Sequence, residues 1–430
     1  MGSTLPKHYT KTLDNGLQIL VIPMQNNSNV ITTDIFYKVG SGDEIMGKSG
    51  IAHMLEHLNF KSTKNLKAGE FDEIVKGFGG VDNASTGFDY TQYFIKSSSK
   101  NLAKSLELFA ELMQNLSLKD DEFQPERNVV LEERRWRTDN NPFGYLYFRL
   151  FNNAYLYHSY HWTPIGFTED IKNWTIEDIR SFHKMYYQPQ NAILLVAGDI
   201  KPETVFEEAE KAFGNIKNSG KIRRNHQIEP EQDGLKRITI DKESQVEMLA
   251  IAFHIPNFKH KDQVALSAIS ELLSSGKSSR LNALLIDKLQ LVNSVAAYNM
   301  ENKHPGIFLF LAVCNPGIKA EDVEKVLWDE IEKLKTEEVA KSELEKVKIN
   351  TKSDFVFGMQ DSQTLVNIFG SYAARGDLEP LLKYEDRLMK LTPKEIKEVS
   401  QKYFSKKNAT VAILRKLDKP IKNKEEKETK

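Results

Sequence analysis

Cysteine is nearly absent: Cys314 is the only one in 430 residues. An intramolecular disulfide is therefore excluded, and a zinc site built on thiolates would need more of them. Cys314 ends the run "FLFLAVC", which reads as a buried strand, so it is expected as a small core residue. No run of 18 apolar residues occurs, which excludes a membrane-spanning helix. An excess of one charge is missing too. Lys and Arg total 59, Asp and Glu 60, and the net charge is −1. Such a balance gives no electrostatic case for nucleic acid or an anionic membrane. No charged-then-apolar leader opens the chain. "MGSTLPKHYTK" reads as a cloning remnant, so an export signal could have been removed and the compartment stays open. The tail "KLDKPIKNKEEKETK" is charged, poor in apolar residues and expected to fray.

What is present points to a folded chain of more than one domain. Hydrophobic residues make up 40% and charged residues 28%, ordinary for a globular protein. A chain of this length exceeds one ordinary core. The largest-scale signal is a repeat. "TIEDIRSFHKMYYQPQNAILLVAG" from Thr175 aligns without gaps to "TPKEIKEVSQKYFSKKNATVAILR" from Thr392, an offset of 217 residues (175 to 392). Thr175, Ile179, Tyr186, Asn191 and Ala192 meet Thr392, Ile396, Tyr403, Asn408 and Ala409. Each copy reads as a capped amphipathic helix, a turn and a closing apolar strand. Between the copies, 214–234 has linker composition: polar, charged, with Gly, Asn and Pro. The expected layout is a first domain over 1–214, the linker 214–234, a homologous domain over 235–416 and a charged tail 417–430. Strand patterns alternate with helical ones in both halves, so the fold class is α+β, two tandem sandwiches with helices on one face of each sheet.

The stretch "SGIAHMLEHLNF", residues 49–60, carries the chemistry. On a helix, residues four apart share a face, so His53 and His57 can aim two imidazoles at one point. Glu56 lies beside them. Imidazole and carboxylate suit Zn²⁺ better than Mg²⁺ or Ca²⁺, and His-x-x-Glu-His is the inverted form of a zinc peptidase motif. The competing reading is two satisfied or solvent-facing histidines. Further on, "ERNVVLEERRWRTDNNP" holds Glu126 and Glu133 two turns apart on one face. Either they supply a third ligand and an outer carboxylate, or they belong to a solvated acidic face. His158 and His161 lack ligand spacing and read as packing or loop residues. His183, His254, His260 and His304 show no partner pattern.

At this point the sequence resembles the pitrilysin family of zinc metallopeptidases, the insulinase and processing-peptidase-like group, in its short branch with two homologous halves. The matching pieces are "SGIAHMLEHLNFKST", "FGGVDNASTGFDYTQYF", "ERNVVLEERRWRTDNNP", "YHWTPIGFTEDI", "YYQPQNAILLVAGDI" and, in the second half, "GKSSRLNALLIDKLQLVNSVAA". The resemblance covers nearly the whole chain. It implies a zinc endopeptidase acting on short or unfolded peptides, with zinc held by His53, His57 and Glu133, Glu56 as general base and Glu126 as an outer helper. It also implies a sheet edge at Asn83 and Ala84 where a peptide adds as a strand. "VDNASTGFDYTQYF" itself reads as a turn leading into a strand with Tyr90 and Phe94 inward.

The second half lacks the ligand set: at the 217 offset it has Ser270, Leu273, Ser274 and Asn350. One departure from the family stands out. Active members carry an Arg and a Tyr, seven apart, where this chain has Ile286 and Asn293. The resemblance therefore implies a dimer, either a heterodimer with a chain bearing the Arg and Tyr, or a homodimer. A non-catalytic subunit of a heterodimeric complex is the alternative, although such chains have generally lost ligands. A small-molecule zinc enzyme such as S-ribosylhomocysteinase shares the inverted motif, but is much shorter and adds a cysteine ligand; Cys314 lies in the wrong half. If a leader has been removed, the bacterial periplasm is favoured over the cytoplasm.

Overall fold

The structure, a computed structural model, describes residues 5–417. The charged tail expected to fray lies outside them beyond Leu417. Six strands form the first sheet: β1 (Tyr9–Thr12), β2 (Gln18–Pro23), β3 (Val30–Tyr37), β4 (Val81–Thr86), β5 (Thr91–Ser98) and β6 (Ala192–Gly198), in the order β1-β2-β6-β3-β5-β4. Five form the second: β7 (Lys236–Glu243), β8 (Met248–His254), β9 (Val292–Met300), β10 (Ile307–Cys314) and β11 (Ala409–Leu417), in the order β7-β11-β8-β10-β9. Neighbours are antiparallel except β2 with β6 and β7 with β11. Leaving out β1, the two orders coincide strand for strand. Two domains of one topology follow.

The repeated residues explain themselves locally. Thr175 and Thr392 are the N-caps of helices Ile176–Tyr186 and Pro393–Tyr403. Each hydroxyl accepts from the backbone N–H three residues on, Asp178 or Glu395, whose carboxylate returns to the threonine N–H at 2.9 Å. That reciprocal pair satisfies two donors that a helix start leaves open. At the other end the Asn191 and Asn408 amides donate to the Tyr186 and Tyr403 carbonyls, both at 2.9 Å, and turn the chain into β6 and β11.

Each sheet packs its own helices on one face. The first core gathers Ile35, Tyr93, Ile95, Leu194 and Val196 beneath Met54, Leu55, Leu106 and Phe109; the second gathers Ile251, Phe310 and Val411 beneath Leu266, Ile269 and Leu327. Cys314 is buried in it, as expected of a core thiol. The opposite faces are covered by exchange. Helix Pro142–Ala154 lies on β7, β8 and β11 of the second sheet, with Leu146, Leu150 and Phe151 buried against Ala250 and Leu414. Helix Ser362–Arg375 lies on β3 and β6 of the first, with Leu365, Val366 and Phe369 against Leu20, Ile22 and Leu195. Both helices therefore bury side chains worth about 1.5–3 kcal/mol each against the other half. Gly370 permits the close approach, because a Cβ there would overlap the Phe36 ring.

Two sequence readings need correction. Val81–Thr86, whose residues read as a turn, is the edge strand β4, the sheet edge that the family resemblance implied at Asn83 and Ala84. Its polar letters imitate a turn because an edge strand exposes alternate residues to water, and Val81, Asn83 and Ser85 are exposed. In β5 the phase is also shifted: Tyr93 and Ile95 enter the first core, whereas Phe94 is half-buried and Tyr90 packs beside Phe36 on the opposite face.

Candidate metal centre

Helix Ile51–Asn59 buries Ile51, Ala52, Met54, Leu55 and Leu58, which leaves His53, Glu56 and His57 on the face turned from the core. Its start is fixed by Glu44, whose carboxylate accepts the Gly50 and Ala52 N–H groups and the Trp162 indole N–H, all at 2.8 Å. Burial raises the Glu44 pKa to about 8, against the pull of those donors. Helix Asp120–Arg134 crosses this helix and brings Glu126 and Glu133 to it.

Among the described residues, His53, His57 and Glu133 each offer a donor atom within 4.8 Å of the others. Glu133 Oε2 lies 3.6 Å from His53 Nε2 and 3.3 Å from His57 Nε2. Ligands at about 2.1 Å around a tetrahedral zinc sit about 3.4 Å apart, so the donor set fits that ion. His57 Nδ1 meets Glu126 Oε1 at 2.8 Å, and Lys61 Nζ holds Glu126 Oε2 at 2.6 Å. His53 Nδ1 is buried without a hydrogen-bond partner among the described residues. The Thr86 hydroxyl donates to Glu56 Oε2. Asn83 and Ala84 lie on β4, which ends the sheet beside this helix. The Ala84 N–H bonds to Asn83 Oδ1 at 2.9 Å instead of to a neighbouring strand.

The electrostatics separate the two imidazoles. Burial lowers His53 to about 4, with His57 adding to the effect. Burial also pulls on His57, but its bonds with Glu126 and Glu133 prevail and carry it up to about 9. The Glu56 carboxyl is raised, chiefly by burial, with the Thr86 hydroxyl drawing it back. Despite burial, Glu126 is held low by His57 and Lys61, and Glu133 by the histidines and Arg137. Lys61, Thr86, Glu44 and Arg137 were not singled out from sequence. Lys61, one turn after His57, and Arg137, one turn after Glu133, left a spacing signal there; Thr86 and Glu44 left none. His158 is buried against Tyr160 and His304, a packing residue as expected, and His161 Nδ1 meets the Tyr155 carbonyl at 2.7 Å.

Two duplicated halves, one of them with a compact His-His-Glu cluster, give this chain the architecture of the two-domain zinc proteases. Residues 20–157 match the family description "Insulinase (Peptidase family M16)", and 173–351 match "Peptidase M16 inactive domain". The zinc protease PqqE of Helicobacter pylori is 52% identical over 416 residues, 96% of this chain and 94% of that one. An uncharacterized zinc protease of Rickettsia bellii is 27% identical over 94% of this chain and 96% of its own. The crystal structure of a protease from Helicobacter pylori superposes with a TM-score of 0.94 at 52% identity, covering 96% of this chain and 100% of that one. The chain belongs to peptidase family M16. No helix among the described residues is long and apolar enough to cross a membrane.

Proposed function

We propose that this chain is a zinc-dependent endopeptidase for short or unfolded peptides, with zinc held by His53, His57 and Glu133. The observation that carries the reading is the spacing of those three donors around one point, with Glu56 on the same helix face. A zinc ion held there would supply Lewis acidity, making water a nucleophile near neutral pH and polarising a peptide carbonyl. The chain's own groups do the remainder. Thr86 occupies Glu56 Oε2 and leaves Oε1 to take the proton of the attacking water and return it to the departing amine. A carboxyl raised by burial suits both transfers. Glu126, itself held by Lys61, fixes the ring of His57 through Nδ1. Substrate adds to β4 at Asn83 and Ala84, where the outward Ala84 N–H can exchange its Asn83 partner for a peptide carbonyl. Glu56→Gln tests the reading: zinc content stays at about one ion per chain while cleavage of a quenched fluorogenic peptide collapses. A Glu56→Gln protein with parent turnover contradicts it.

A second reading, a chain needing a partner for full activity, is favoured by the second half. Ile286 is half-buried against the second core and Asn293 is exposed. Arg280 is tied down elsewhere: its Nε and Nη2 donate to the two carboxylate oxygens of Glu343 at 2.8 and 2.7 Å. We therefore assign this chain to a dimer, with the missing Arg and Tyr supplied by a different chain. Peptide cleavage measured before and after adding a co-purifying chain decides between a heterodimer and a homodimer.

A further inference from the structure

The two oxygens of Glu133 have different neighbours. Oε2 faces the histidines, at 3.3 Å from His57 Nε2 and 3.6 Å from His53 Nε2, while Oε1 is 3.0 Å from Arg137 Nε. Arg137 follows Glu133 by four residues, and its side chain is 65% exposed. An exposed pair at that spacing would ordinarily be a weak surface bridge. Here the backbone beneath it is clamped. The helix Asp120–Arg134 does not end in a free turn but widens into a π-helical turn, Arg135–Asp139. Arg134 is buried at the start of that turn. It donates to the Gly166 carbonyl, pairs with Asp139 at 3.2 Å and stacks on Phe148 with 4.0 Å to the ring centre. Lys242, from the second half, donates to the Asp139 carbonyl. The Arg137 carbonyl itself lies so close to Gly144 that a Cβ there would overlap it. A wide turn held from both halves thus presents one guanidinium to one carboxylate oxygen.

We infer that Arg137 is a positioning residue for Glu133: it holds Oε1, so that only Oε2 is offered to a metal shared with His53 and His57. The inference rests on the assignment of Glu133 as a zinc ligand. Arg137 would do for Glu133 what Glu126 does for His57, and outer partners of this kind are worth roughly tenfold to hundredfold in metal affinity. Arg135 provides the internal comparison. It is similarly exposed, two residues away, and pairs with Glu132, which is exposed and not part of the His53, His57 and Glu133 cluster.

The test is zinc affinity of the full chain, measured by competition with a chromophoric chelator at fixed pH and without reference to turnover. Arg137→Ala is expected to lose tenfold or more, Arg137→Lys to recover part of that loss, and Arg135→Ala to match the parent. Arg137→Ala binding zinc as tightly as the parent would overturn the inference. So would Arg137→Lys no better than Arg137→Ala, or an equal loss in Arg135→Ala, which would mark a general charge effect. Should Arg137→Ala not fold, Arg137→Gln takes its place: it is expected to lose tenfold or more in zinc affinity, and parent affinity in Arg137→Gln would overturn the inference. A parent chain that takes up no zinc would defeat the ligand assignment beneath the inference instead.

Discussion

Helix Ile51–Asn59 turns His53, Glu56 and His57 toward edge strand β4; helix Gln263–Ser274 turns Ser270 and Ser274 toward edge strand β9. Ala84 lies opposite Tyr93 and Ala297 opposite Phe310, equivalent positions 217 residues apart (93 to 310). At Ala84 the outward N–H bonds, among the described residues, to the side chain of its neighbour Asn83. At Ala297 the N–H bonds to Ser274 Oγ at 3.0 Å, and the carbonyl accepts from both Ser270 and Ser274 at 2.6 and 3.1 Å. Short hydroxyls close the second edge where long imidazoles stand off from the first. Glu126 and Glu343, again 217 apart, differ likewise: one orients His57, the other is bound to Arg280. One fold has thus been used twice, once to keep an edge and a donor cluster open and once to tie both down.

The comparison can be broken most sharply at the donors. His57→Ala should lose zinc by more than the tenfold to hundredfold typical of an outer partner, whereas Ser274→Ala should leave zinc binding unchanged; metal analysis of both proteins checks it. The exchanged helices come next. Leu150→Ala and Phe369→Ala should each cost about 2–5 kcal/mol in denaturant unfolding, because each opens a cavity against the sheet of the other half. Glu126→Gln should weaken zinc about tenfold to hundredfold with Glu343→Gln neutral, read by chelator competition.

A pH-dependent difference follows from Asp34 on β3, whose counterpart on β8 is Ala250. Asp34 is fully buried on the face covered by helix Ser362–Arg375, and neither carboxylate oxygen has a hydrogen-bond partner among the described residues. Burial raises its pKa well above the usual carboxylate range. The folded chain therefore keeps a proton that the unfolded chain releases above about pH 4, so stability falls as pH rises through that window. Relative to Asp34→Asn, the parent should lose up to about 1.4 kcal/mol per pH unit above pH 4 until the folded group ionises. Unfolding curves of the pair at several pH values, with no change in their difference, would contradict this. The smallest effect is expected at the closed edge: Ser274→Ala should cost only about 0.5–1.5 kcal/mol, measured by the same unfolding.

Much of this was legible in the sequence. Thr175 and Thr392, Tyr186 and Tyr403, and Asn191 and Asn408 recur because caps and turns are local chemistry, and local chemistry repeats when a fold is duplicated. His53, Glu56 and His57 were legible because helical spacing alone brings them together. β4 was legible only through the family resemblance, since residue by residue an exposed edge strand is written in turn-like letters. Nor could the sequence say that "PFGYLYFRLFNNA" covers the partner sheet. Its apolar residues demand burial, but the sheet they meet is set by long-range contacts. Thr86 comes beside Glu56, and Lys61 beside Glu126, only in the folded chain, whereas Arg137 stands one turn after Glu133 in the sequence itself.

The most direct measurement is anomalous X-ray diffraction at the zinc edge from crystals of the zinc-loaded chain. One peak per chain is expected, bounded by His53 Nε2, His57 Nε2 and Glu133 Oε2, and none beside Ser270, Ser274 and Asn350. A peak elsewhere, or a Glu133 side chain turned away from the two rings, would contradict it.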